Sequence, residues 1–86
     1  MIWDYKTELQ EYCQARKIKI NYLEKGIKKE KNQRIFVTEV RIMGKLETLR
    51  GIGEGHSKQE AQQQAAAKMF EKLGIGKERE KNDSTT

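Results

Sequence analysis

The stretch "GEGHSKQEAQQQAAAKMFEKLG", residues 53–74, decides between folds. Ser57 is a good helix N-cap, and Glu60, three residues on, completes a capping box. The pattern predicts a helix from Ser57 to Leu73, stopped by Gly74. Ala65, Ala66, Met69 and Leu73 share an arc of about 100°, with alanines where the helix must lie close to what it covers. Met69 and Phe70 therefore read as core rather than as a cofactor box. Upstream, Gly51, Gly53 and Gly55 are expected to break a strand and form the loop that leads into the helix. A glycine-rich turn before a helix can present backbone N–H groups to a phosphate. It is equally an ordinary exit from a strand. A nucleotide-binding P-loop is excluded, because it needs Lys and Ser/Thr directly after its last glycine, whereas His56 follows Gly55.

Working back toward the N-terminus, "IFVTEVRIM" (35–43) is rich in β-branched residues, with Phe36, Val40 and Ile42 at period two. Met43-Gly44-Lys45 is expected to reverse the chain, and "LETLRGI" (46–52) to return as a strand. "IKINYLEK" (18–25) alternates with Ile18, Ile20 and Tyr22 on one side. The charged "GIKKEKNQR" (26–34) reads as a loop joining those two strands. Short connections between successive strands imply an antiparallel meander. Asp4 caps a first helix that runs to roughly Ala15, burying Tyr5, Leu9, Tyr12 and Cys13 within an arc of about 100°. Thr7, Gln10, Glu11 and Gln14 fall on the opposite side. That face is mostly uncharged, which suits hydrogen bonding to hydroxyls and base edges. The expected fold is α+β, in the order α-β-β-β-α, with a three-stranded antiparallel sheet and both helices packed on one face. Residues 1–3 are expected to form an N-terminal extension, 4–74 the domain, and 75–86 a flexible polar tail.

The chain has 86 residues, enough for one domain and a modest core. Its one cysteine, Cys13, excludes an internal disulfide, and with the single histidine, His56, it makes no zinc set. No apolar run approaches eighteen residues and no signal-peptide pattern is present, so a soluble cytoplasmic chain is expected. Residues 18–34 hold six basic and two acidic side chains, four of the five net positive charges. So concentrated a charge points to an anionic partner. A catalytic set is missing: His56 stands alone, and Asp4, Glu8 and Glu11 point in different directions around the first helix. The chain is not expected to be an enzyme or to carry a cofactor.

The element order, the first-helix string "DYKTELQEYCQ" (4–14) and the loop-to-helix string "GEGHSKQEA" (53–61) together resemble the double-stranded RNA-binding domain. More narrowly, they are similar to the C-terminal RNA-binding domain of bacterial ribonuclease III. Domains of this family span about 16 base pairs of A-form RNA, touching two minor grooves and the phosphates between them. The resemblance implies that Thr7, Gln10, Glu11 and Gln14 enter one minor groove, where Glu11 can accept from 2′-hydroxyls. It implies that the loop between the first two strands enters the next. The family usually has Gly-Pro-x-His there; this chain has Lys29-Glu30-Lys31-Asn32 ahead of Phe36, with Asn32 in the histidine's place beside Lys31. The family's phosphate-binding lysines open the second helix. Lys58 matches, directly after His56 and Ser57; Gln59 replaces the second lysine, and Gln62 stands where a third is often found. Lys58 and Gln62 share an azimuth with the core, so they reach RNA only if the first helical turn overhangs the sheet. The implied function is sequence-tolerant binding of double-stranded RNA, with catalysis left to a tethered nuclease domain. A protein-interaction module on the same fold remains the alternative.

Overall fold

The computed structural model describes residues 4–74, in the order α1 (Tyr5–Ala15), β1 (Lys19–Glu30), β2 (Gln33–Met43), β3 (Thr48–Gly55) and α2 (Lys58–Leu73). The expected N-terminal extension and polar tail lie outside these residues. Asp4 caps α1 as anticipated, its side chain accepting from the backbone N–H of Thr7. The helix buries Leu9 and Cys13, one turn apart. It ends in a Schellman arrangement, in which Lys17 N donates to Gln14 O at 3.1 Å and Ile18 N to Cys13 O at 2.8 Å. Lys17 takes the left-handed position that glycine normally fills, at φ 56°.

The strands form one antiparallel sheet in the order β1-β2-β3. Tyr22, Val40 and Gly51 make one row across it, and Ile20, Ile42 and Leu49 the next. Leu9 and Cys13 of α1 and Ala65, Ala66, Met69 and Phe70 of α2 close on Val40 and Ile42 in a single cluster. Both helices therefore cover the same face, as expected. The Tyr5 and Phe70 rings meet edge to face at 5.5 Å between centroids. On the other face Glu39, 5% exposed, lies among Arg41 at 3.1 Å, Lys25 at 3.6 Å and Arg50 at 4.0 Å.

Two segments differ from the sequence-based expectation. Residues 26–34 are not a loop. β1 continues through a bulge between Glu24 and Gly26, and the ladder with β2 runs to Glu30 opposite Gln33. Only Lys31 and Asn32 connect the strands, at φ 50° and 65°, the left-handed pair that a two-residue hairpin turn requires. This ribbon is exposed, so it has no alternation of apolar residues to betray it. Its backbone hydrogen bonds form regardless of side-chain polarity.

The second difference concerns Gly51, Gly53 and Gly55, which do not break the sheet but belong to β3, opposite Val40, Thr38 and Phe36. Their bare backbone lets α2 approach. A Cβ on Gly53 would sit 2.1 Å from Ala65 N and 2.6 Å from Ala61 O, and one on Gly55 2.7 Å from the Glu60 Cβ. The third strand accordingly starts and ends later than expected, leaving Leu46 exposed in the preceding turn.

Candidate nucleic-acid interface

The start of α2 is fixed by its own sequence. Ser57 Oγ accepts from Glu60 N at 3.1 Å, and the Glu60 carboxylate accepts from His56 N at 3.2 Å, one residue earlier than in the usual box. The first turn thus runs outward with its leading N–H groups unclaimed by the helix. Lys58 emerges from this turn with its side chain 61% exposed. Its Nζ lies 3.5 Å from Glu24 of β1. Between this turn and the β1-β2 hairpin is a groove lined by Gln33, Arg34, Phe36, His56, Ser57, Lys58 and Gln59.

A second groove separates the start of α2 from α1. Thr7 and Gln10 line it together with Ser57, Gln59 and Gln63. The Thr7 hydroxyl donates to Asp4 Oδ2 at 2.7 Å, and Gln63 Nε2 donates to Asp4 Oδ1 at 2.7 Å. These donors, Gln63 foremost, hold the Asp4 carboxyl down to a pKa of about 2. Glu11 and Gln14 remain exposed further along α1. A third recess lies near the hairpin tip, lined by Glu30, Lys31, Gln33, Ile35 and His56.

The three recesses share residues. Ser57 and Gln59 border the first two, and His56 borders the first and third. A continuous strip, crossing Phe36 and bordered by Asp4, Glu60 and Glu30, therefore runs from α1 across the start of α2 to the hairpin tip. It brings together Thr7, Gln10, Lys31, His56, Ser57, Lys58 and Gln59, with Asn32 completing the turn. Gln62 is outside it, half-buried, with its side-chain oxygen accepting from Lys6 Nζ. Sequence reasoning missed Arg34 and Gln63. Only strand register and helix packing bring them to the strip.

Residues 5–73 match the family model of the double-stranded RNA binding motif. The chain belongs to that family. Its relatives include Ribonuclease 3 of Clostridium tetani, 41% identical over 81 residues, covering 93% of this chain and 33% of that protein. Ribonuclease 3 of Caldanaerobacter subterraneus subsp. tengcongensis is 45% identical over 74 residues, covering 84% and 31%. That of Pseudothermotoga lettingae is 40% identical over 74 residues, covering 85% and 30%. The chain spans about a third of the length of these relatives. Among the described residues of this double-stranded RNA binding motif, no three His, Cys, Asp or Glu side chains converge as a metal site. No described helix is long and apolar enough to cross a membrane.

Proposed function

We propose that this motif anchors A-form RNA duplexes with little regard to sequence, as the RNA-holding part of a cytoplasmic ribonuclease 3-like protein. The observation that carries this is the continuous strip from α1 to the hairpin. A-form RNA displays 2′-hydroxyls in a wide, shallow minor groove, with phosphates between successive grooves. In this reading Thr7, Gln10, Glu11 and Gln14 take one minor groove and Lys31 and Asn32 the next. His56, Ser57, Lys58 and Gln59 meet the phosphates between. Gln62 serves from behind, by holding Lys6 between the helices. Contacts to sugar and shape explain the indifference to sequence, and contacts to 2′-hydroxyls the preference for RNA. Cleavage belongs to a tethered nuclease domain.

The test is a titration with one duplex of about 20 base pairs, as RNA and as DNA, at two salt concentrations. Tight, salt-sensitive binding of RNA with much weaker binding of DNA supports the proposal. Weak binding of both sinks it and turns the strip into a protein-facing surface.

A further inference from the structure

We infer that Lys29 and Arg34, on the hairpin arm facing α2, form a phosphate clamp with Lys58 and supply the charge that Gln59 lacks. The inference builds on the duplex-RNA reading and goes beyond it, because neither hairpin residue belongs to the contacts assigned above.

Three observations converge on this pair. Arg34 lines the groove between hairpin and helix, on the wall opposite Lys58 and Gln59. Lys29 is the register partner of Arg34, and side chains directly opposite on paired strands stand on the same face. Arg34 thus stands in the groove wall, with Lys29 beside it on the same face of the hairpin.

The charges of Lys29 and Arg34, like that of Lys31 at the hairpin tip, are not answered by a carboxylate among the described residues. Lys25, Lys28, Arg41, Arg50 and Lys58 each have a carboxylate within 4.0 Å. The neighbouring Glu30 is turned to Lys28 at 3.7 Å. Like charges directly opposite destabilise a strand pair. A fold that keeps such a pair uncompensated, beside a third cation, is arranged to receive an anion. The open form of the groove suits a sugar-phosphate backbone running through it, since a trough between two walls holds a strand rather than a point ligand. Lys58 alone is a poor anchor there, because Glu24 already answers its charge.

The experiment uses R34Q, K29Q and the double variant, with K45Q as control in the β2-β3 turn at the far end of the sheet. Affinity for an RNA duplex of about 20 base pairs is measured across salt. The slope of log affinity against log salt should shrink by about one unit for R34Q and about two for the double variant, equally for unrelated duplex sequences. K45Q should match the unaltered chain, and R34K should keep the slope. The thermal midpoint of the RNA-free double variant should hold or rise, because the opposed charges are gone. An unchanged slope in the double variant, while K58Q still weakens binding, overturns the clamp and leaves the duplex-RNA reading standing. A slope lost together with the thermal midpoint marks a role in folding and overturns it too. No duplex binding by the unaltered chain overturns both.

Discussion

Gln63 of α2 grips Asp4 at the head of α1. Its Nε2 donates to Asp4 Oδ1 at 2.7 Å, while its Oε1 accepts from the backbone N–H of Tyr5 at 2.9 Å. The same carboxylate caps α1 through Thr7 N at 3.2 Å. One acid thus starts the first helix and sets its distance from the second. For a domain proposed to touch separate parts of a duplex with those two elements, that distance is part of the binding geometry.

Acid should loosen this joint first. The Asp4 carboxyl is lowered from 3.8 to about 2 by the Gln63 amide and the Thr7 donors. A lowered acid contributes stability that is complete above its unfolded value and disappears as pH falls through the folded one. Unfolding midpoints followed from pH 5 to 2 should therefore decline below about pH 4. D4N, which can still cap, should flatten that decline. An identical acid profile in D4N would remove Asp4 from the explanation.

Alkali should act at Tyr22. Its hydroxyl has no hydrogen-bond partner among the described protein groups, and burial pushes its pKa from 10.0 up to about 12. Because the folded value is raised, stability is full below pH 10 and is lost as pH climbs toward 12. Y22F should abolish this alkaline loss and add about 1 kcal/mol at neutral pH by deleting an unpaired polar group. A destabilised Y22F would show that the hydroxyl has a partner after all.

At Gly53 the prediction is steric. An added Cβ meets backbone atoms of α2, not the end of a flexible side chain, so the helix must lift from β3. G53A should cost at least about 3 kcal/mol, the upper end for an overfilled core. Chemical denaturation measures it; a cost under about 1 kcal/mol would mean that α2 can slide aside.

Glu24 should oppose RNA. The Glu24–Lys58 pair is solvent-exposed on both sides, so it contributes little to folding. Its carboxylate nevertheless stands beside the lysine proposed for phosphate. E24Q should bind RNA duplex more tightly, with stability changed by no more than about 0.5 kcal/mol. Unchanged affinity would put Lys58 away from the phosphates.

Local signals made much of this architecture readable. Asp4 and Ser57 announced the helix starts, Gly74 announced a stop, and period-two residues in β2 announced the central strand. Such signals work because caps and amphipathic faces are satisfied within a few residues of chain. The strings around Thr7–Gln14 and Gly53–Ala61 also pointed to the family and to much of the strip. The hairpin was hidden, since its ladder joins exposed charged residues and leaves no burial pattern. The glycines were misread for a related reason: a glycine that ends a strand and one that admits a helix look alike until the helix is docked. The same limit separates Gln62 from Gln63 and conceals Arg34. Adjacent glutamines on one helix differ in role only through what α1 presents to them, and Arg34 shares a groove with Lys58 only through strand register. The sequence by itself determined the elements, their order and the ends of the helices. The packing of α2 on bare β3 backbone and the pairing of β1 with β2 decided which polar side chains share one surface, because that depends on contacts between residues far apart in the chain.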